Sequence, residues 1–567
     1  MIDWKIPPVF SSTRALVFAL LLVIACTRVA IALAHPDSLM DHGMYQDDAY
    51  YYLQIARNAV MGRGLSFDES GATSGFQPLY QLLLLPIVAV SGDGPLIAVR
   101  GSLLMLAAWA VATGALAFSL GRALGGSVAG LTALGLFAFS PYFIVFGANG
   151  QETGLAMFFA LGVARAHVWL FHDGVTRGPR AGVGYGVLAG FAVLARLDLA
   201  MLLVALVCSA LLSARDRADA FVRGRALVLV TVTALLVWLP WSAYSQHTTG
   251  NWLPLSGAAS REVALNLGWY EMDRVWSDPQ SSPVFDPTAP PTSFYADVLT
   301  KLGAVALMEF PLLSPLRSTI PFTPWSGVNQ YPAYRLFLQY PVILSLTAAA
   351  AIACLVVFLV RRRMKPGLGL TLMIYAALLA FGYGYAVPTH WYFPRYLAPA
   401  LLLGSVVGVA AAARMLARYE PRRRRVIAAL AIALILAAPL RDLSFFRTLS
   451  FGADTPPSPL RAPLTRAQGI LPPDARLGAF QAGLLSWYAG GGVINLDGKV
   501  NSDAYHALVD GRLHEYLRDS GITHVLDWEW VFMRMCLRYA PDGSVFVEPL
   551  DRGAHAYEST LYRLHFP

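Results

Sequence analysis

The chain is poor in charge and in cysteine. Only 14% of its 567 residues are Asp, Glu, Lys or Arg, against 56% hydrophobic, and the mean hydropathy is +0.52. Soluble domains carry about 25% charged residues, so a water-soluble globular fold is excluded and a polytopic membrane protein is expected. Cys26, Cys208 and Cys354 lie inside apolar runs and Cys536 stands alone near the C-terminal end. No disulfide framework or CxxC metal site follows from that spacing, and the four read as small apolar filler. A Gly-rich phosphate loop is also missing, as is an internal repeat. The net charge of +8 is spread in short basic clusters between apolar runs, where membrane proteins keep it, so no nucleic-acid partner is needed.

Apolar runs are what the chain does have. Residues 15–34 are long enough to cross a bilayer. Ala32-Leu33-Ala34 is similar to a signal-peptidase site, but the run exceeds a signal core and reads as an uncleaved helix. Further spans are expected at 96–120, 127–146, 154–171, 181–195, 199–213, 227–244, 336–360, 370–387, 397–413 and 426–440, eleven in all. The Pro-containing run 77–90 is too short and reads as an interfacial or re-entrant helix.

Charge then sets sidedness. The five loops assigned to the inner face hold 17 basic residues and four acids, while residues 35–94 hold seven acids and two basic residues. A charge at a helix centre costs roughly 2.5–3.5 kcal/mol, so shifting the spans to bury these clusters is excluded. With this topology Asp47/Asp48, Glu152, Arg196/Asp198, a long loop at 245–334 and the stretch from His390 to Tyr396 all fall on the outer face. So does the region 441–567, which turns polar. Short strand-like runs there (476–480, 492–496, 523–528, 545–548, 561–566) surround a helical stretch, 502–518, and predict a small α/β domain. The domains are thus 1–440, with outer loops 35–95 and 245–334, and 441–567. The inner loops are too short for a nucleotide-binding fold. An enzyme of this design works outside, on a donor that is already lipid-linked.

The polar groups suit sugar transfer from a lipid phosphate. A general base must take the acceptor's hydroxyl proton, and Asp47 or Asp48 can do so. Two adjacent carboxylates titrate as a coupled pair and need a cation or an arginine to stay ionised together. A leaving phosphate needs charge-assisted donors. Arg395, beside Pro394 and flanked by Tyr392 and Tyr396, offers a bidentate fork. Each group also has a plainer reading. The acids suit a solvated loop, Glu152 a helix N-terminus, Arg196/Asp198 an ion pair at a helix break, and His390 a hydrogen-bonded loop residue. Arg395 and the aromatics suit an interfacial belt, and Arg28 a snorkelling side chain.

The stretches Asp47-Asp48-Ala49-Tyr50-Tyr51-Tyr52, Gly62-Arg63-Gly64-Leu65-Ser66-Phe67-Asp68 and Thr73-Ser74-Gly75-Phe76-Gln77-Pro78-Leu79-Tyr80 resemble the first outer loop of bacterial GT-C glycosyltransferases. That superfamily includes aminoarabinose transferases, protein O-mannosyltransferases and mycobacterial arabinosyltransferases. Asn149-Gly150-Gln151-Glu152-Thr153, Asn251-Trp252-Leu253-Pro254-Leu255-Ser256-Gly257, Tyr392-Phe393-Pro394-Arg395-Tyr396 and Asn495-Leu496-Asp497-Gly498 follow in the expected order. Many relatives carry Arg-Pro-Asp or Arg-Pro-Glu where this chain has Arg196-Leu197-Asp198. The resemblance implies an inverting hexosyl- or pentosyltransferase in the bacterial cytoplasmic membrane. Its donor would be a polyprenyl-phosphate sugar and its acceptor a glycan, lipid or protein. Asp47 would be the base and Asp48 a second acid or metal ligand, with Glu152 a further ligand for Mg, Mn or Ca. Donor phosphate and sugar would be bound by Arg395, Tyr392, Tyr396, His390, Glu152, Arg196 and Asp198. The alternatives are a secondary transporter, which needs broken helices or polar groups at the midplane, and a non-catalytic glycan-binding sensor.

Overall fold

The computed structural model describes residues 13–266 (without 93, 172–177 and 215), 367–387, 393–420 and 443–567 (without 453, 530, 534–539, 541–542 and 554–557), with 299, 302–303, 422–423 and 426. Helices come first: α1 (Thr13–Leu33), α2 (Pro36–Asp41), α3 (Asp47–Val60), α4 (Pro78–Ser91), α5 (Pro95–Phe139), α6 (Pro141–Gly147) and α7 (Thr153–Phe171). They continue as α8 (Pro179–Ala195), α9 (Leu199–Leu212), α10 (Arg217–Thr249), α11 (Leu255–Asn266), α12 (Leu368–Phe381, prolonged by a π turn at Gly382–Ala386) and α13 (Phe393–Leu416). Among the described residues six helical elements are long and apolar enough to cross a membrane, namely α1, α5, α7, α10, α12 with its π turn, and α13. The chain is a multi-pass membrane protein.

α5 has 45 residues, about twice what a bilayer requires, and Gly126 breaks it at φ 85°. The chain reverses there, because a Cβ on Gly121 would lie 3.0 Å from the Cα of Gly130. The element thus holds two of the expected spans. The paired runs on either side of Arg196-Leu197-Asp198 are the short helices α8 and α9. α10 runs on to Thr249, into the region expected as loop. The span expected at 336–360, that at 426–440 apart from Val426, and most of the loop expected at 245–334 lie outside the described residues.

In the bundle α1 and α13 pack on α5, α7 sits against α5 and α8, α8 against α10, and α12 against α9. Glycine permits the closest of these contacts. A Cβ on Gly186 or Gly190 would come within 2.6 Å of Thr233 or 2.5 Å of Val237 on α10. Arg28 does not snorkel as expected. It is fully buried, and its guanidinium donates to the carbonyls of Phe137 and Ala138, each at 3.2 Å. These carbonyls close α5, where the helix leaves acceptors without intrahelical partners and the dipole favours a cation.

The C-terminal part is a small α/β domain: α14 (Ala462–Gln468), β1 (Leu477–Ala479), α15 (Ala482–Ala489), β2 (Val493–Asn495), α16 (Ser502–Val509), α17 (Leu513–Asp519), β3 (His524–Asp527), β4 (Phe546–Asp551) and β5 (Thr560–His565). The sheet order is β2-β1-β3-β5-β4. β1 is parallel to β2 and β3, and β5 antiparallel to β3 and β4. Each strand overlaps one of the five predicted runs. The expected helix at 502–518 is two helices, parted at Gly511 with φ 69°.

This domain is docked on the segment between α1 and α4. Asp37, fully buried, takes Arg461 at 2.8 Å and the Ser458 amide at 3.0 Å. The Tyr51 hydroxyl donates to the Phe480 carbonyl at 3.0 Å and accepts from the Ala482 amide at 3.1 Å. Arg57 lies 3.6 Å over the Trp487 ring and donates to the Trp487 carbonyl at 3.0 Å. Gly75 is pressed against the backbone at Lys499 so closely that a Cβ would fall 1.8 Å from the Lys499 carbonyl oxygen. Backbone cannot yield as a side-chain tip can, so Gly75→Ala is expected to destabilise this junction by about 1–3 kcal/mol. The expected readout is a lower thermal midpoint in detergent and faster protease cleavage of residues 443–567. Unchanged melting and cleavage would mean that the contact does not bear on the junction.

Candidate active site

α3 opens on the two acids, and their side chains leave the helix about 100° apart. They accordingly find different partners. The Asp47 carboxylate accepts from the backbone amides of Leu484 at 2.6 Å and Gly483 at 3.3 Å. These are the free amides in the first turn of α15, so Asp47 caps a helix of the C-terminal domain from outside. Burial pushes its pKa up to about 7; the amides pull against that and the neighbouring Asp48 charge adds to it.

Asp48 faces the other way, onto a cavity of about 760 Å³. Its carboxylate pairs with Arg395 at 2.8 Å and lies 3.8 Å from the ammonium of Lys499. Burial alone would raise its pKa, but the two cations outweigh burial and hold it below the usual carboxylate value. Lys499 also meets Asp497 at 3.1 Å. The turn that presents it follows β2: the Gly498 amide donates to the Asn495 side chain at 3.1 Å and the Lys499 amide to the Asp497 carboxylate at 2.9 Å.

The remaining lining comes from several elements of the bundle. Glu152, just ahead of α7, accepts from the Tyr52 hydroxyl at 2.9 Å. Arg395 also bonds the Gln151 side chain, and reaches the Tyr396 hydroxyl at 3.3 Å. The Tyr396 ring stacks on Tyr383 with centroids 4.5 Å apart and planes 5° apart. Phe76, Met201, Leu253 and Val387 give the same cavity an apolar wall.

Arg196 and Asp198 line the cavity too, yet their polar atoms are engaged with protein. Arg196 forks onto Asp198 at 2.8 and 2.7 Å and donates to the carbonyls of Arg395 at 3.1 Å and Tyr396 at 2.7 Å. The sequence explains why the Arg395 carbonyl is free to accept. Pro399 stands four residues after Arg395 in α13 and has no N–H to complete the helical bond. Arg196 supplies the missing donor, and the Tyr383 hydroxyl completes the cluster with a 2.8 Å bond to Asp198.

Of the residues expected from sequence, Asp48, Glu152, Arg196, Asp198, Arg395 and Tyr396 therefore share one cavity, and Asp47 turns away to α15. His390 and Tyr392 lie outside the described residues. Lys499 and Gln151 were not singled out. Gln151 was legible only as a neighbour of Glu152, and Lys499 as the residue after the Asp497-Gly498 turn. Among the described residues no three of His, Cys, Asp and Glu gather to hold the expected divalent cation: Asp48 faces Arg395 and Lys499, and Glu152 accepts from a phenol.

A multi-pass bundle closes a polar, partly apolar-walled cavity against a small α/β domain, and the chain has the fold of the ArnT structures it superposes on. Residues 78–244 match the family model described as dolichyl-phosphate-mannose-protein mannosyltransferase. Apo ArnT from Cupriavidus metallidurans superposes with a TM-score of 0.52 at 13% identity, covering 96% of this chain and 97% of that one. ArnT from the same organism bound to undecaprenyl phosphate gives 0.51 at 13% identity, with 96% and 97% covered. The Archaeoglobus fulgidus oligosaccharyltransferase AglB, in complex with an inhibitory peptide and a dolichol-phosphate, gives 0.50 at 12% identity over 92% of this chain and 71% of that one. No curated protein matches the sequence itself.

The two acids predict opposite pH signatures. A raised carboxylate pKa means that the folded state holds its proton longer than the unfolded chain. The stability contributed by Asp47 is thus full below about pH 4 and lost as pH rises towards about 7. Asp48, shifted down, contributes stability above its ordinary value of 3.8 and loses it only in stronger acid. Thermal midpoints of wild type and Asp47→Asn between pH 4 and 8 should therefore diverge, the variant losing less as pH rises. Parallel curves would show that Asp47 does not titrate in that window.

Proposed function

We propose that this protein is an inverting glycosyltransferase that moves a sugar, hexose or pentose, from a polyprenyl-phosphate donor to a hydroxyl of a glycan, lipid or protein. The observation that carries the reading is the meeting of Asp48 and Arg395 at 2.8 Å on the wall of one cavity whose other side is apolar. A proton acceptor and a phosphate-binding fork stand together where a lipid tail can lie beside them. The undecaprenyl phosphate and the dolichol-phosphate held by the similar ArnT and AglB structures support a donor of that chemistry. The excess of basic residues in the loops assigned to the inner face supports placing the cavity on the outer side of the cytoplasmic membrane.

The acceptor oxygen forms its bond to the anomeric carbon on the face opposite the phosphate, and its proton passes to Asp48. The bond from the anomeric carbon to the phosphate oxygen breaks, and polyprenyl phosphate departs with both electrons, its charge met by Arg395. Asp48 is the base in this reading because it lines the cavity, whereas both oxygens of Asp47 are taken by α15. Arg395 links the two halves of the reaction. In the absence of donor it neutralises Asp48. An arriving phosphate competes for the same guanidinium and leaves Asp48 a stronger base at the moment a base is required.

The test is transfer by purified protein from a panel of polyprenyl-phosphate sugars. Asp48→Asn is expected to lower kcat about 10²–10⁴-fold, the usual contribution of a general base. Arg395→Ala is expected to raise donor KM and lower kcat together. Asp48→Asn turning over at the wild-type rate would remove the proposed base.

A further inference from the structure

The position of Lys499 gives the C-terminal domain a part in the reaction proposed above. The geometry points to Lys499 as a positioning residue that stays on Asp48 when the donor phosphate draws Arg395 away, filling with a side chain the place of a bound cation. This rests on the transferase reading.

Four observations carry it. The Lys499 ammonium lies 3.8 Å from one oxygen of Asp48, while Arg395 holds the other oxygen at 2.8 Å, so the two cations act on different edges of one carboxylate. Lys499 is partly buried and anchored from behind by Asp497 at 3.1 Å. Its backbone is pinned by the Asp497-Gly498 turn and by the close approach of Gly75, so the stem starts from a fixed point and its ammonium is tied back to Asp497. Finally, both cations line the cavity, but only Arg395 also contacts Gln151 and Tyr396 on its far side, where a phosphate can engage it without displacing Lys499.

The consequence follows from charge. A carboxylate stripped of all cations beside an incoming phosphate diester would face a like charge in a half-buried site and tend to take up a proton too early. One fixed ammonium keeps it ionised and aimed. A point charge on a flexible stem suits this better than a fork, because it leaves the second oxygen free to accept the hydroxyl proton.

The experiment combines kinetics with a double-mutant cycle in the full-length protein. Lys499→Ala is expected to lower kcat about 10–100-fold with donor KM nearly unchanged, and Lys499→Arg to restore most of the rate. In an Asp48→Asn background Lys499→Ala is expected to cost nothing further, since the two act as one unit. A chelator should leave the wild-type rate within about twofold. The same cycle read by thermal unfolding reports the Lys499–Asp48 coupling without turnover. Coupling in that cycle together with no transfer from any polyprenyl-phosphate sugar would sink the transferase reading and uphold the pairing. Transfer that is normal in Lys499→Ala would overturn the inference. So would a loss confined to KM, a loss that adds fully to that of Asp48→Asn, or a rate abolished by chelation and restored by Mg, Mn or Ca.

Discussion

Two carboxylates on consecutive residues cannot both stay ionised in a half-buried place unless each has its own source of positive charge. At the start of α3 the helix geometry separates Asp47 from Asp48, and everything around them follows from supplying those sources. For Asp47 the source is chiefly the first turn of α15, helped by the Lys499 charge, and burial outweighs both, so its proton is held up to about pH 7. For Asp48 it is two full charges from different parts of the chain, α13 and the turn after β2, and the acid stays ionised. The same dipeptide thus yields one structural acid and one available to a ligand.

That division makes the C-terminal domain part of the site. Its α15 receives Asp47, its Phe480 and Ala482 backbone holds Tyr51, and its Asn495-to-Lys499 turn reaches the cavity. Asp527, fully buried, in turn accepts from the amides of Phe480 at 2.6 Å and Gln481 at 3.1 Å and so fixes the chain entering α15. A domain hinged on a long tether would hold neither the cap on Asp47 nor the ammonium near Asp48. Contacts such as the buried Asp37–Arg461 pair and the approach at Gly75 are therefore tied to the chemistry as well as to stability.

Much of this was legible in the sequence. Hydropathy and basic loops gave the membrane class, and strand-like runs bounded by Gly and Pro gave all five strands, because both signals are local. The acids, Glu152 and Arg395 were found because such groups stand out beside apolar runs. What was not legible depended on distant partners. Which acid faces the cavity turns on where α15 docks, more than 400 residues along the chain. Arg28 was expected at the lipid surface, since nothing local reveals that α5 ends beside it with open carbonyls. Nothing local marks Lys499, a lone lysine after a turn, which β2 delivers to Asp48.

Arg196 shows how such distant pairing prepares the site. A proline inside α13 would ordinarily weaken the helix where Arg395 must be held firm. Here the orphaned carbonyl is bonded by a guanidinium that is itself locked onto a buried carboxylate, and the Arg395 backbone is fixed by an ion pair two helices away. Breaking a buried pair of this kind costs about 3–5 kcal/mol, more than a local hydrogen bond would contribute. The proposed shift of the Arg395 side chain from Asp48 to a phosphate would then leave its Cα still. With the backbone fixed, reorganisation in the proposed reaction is confined to one guanidinium and the rest of the site is set in advance. Arg196 and Asp198 thus serve the cavity they line by holding the residue that faces it.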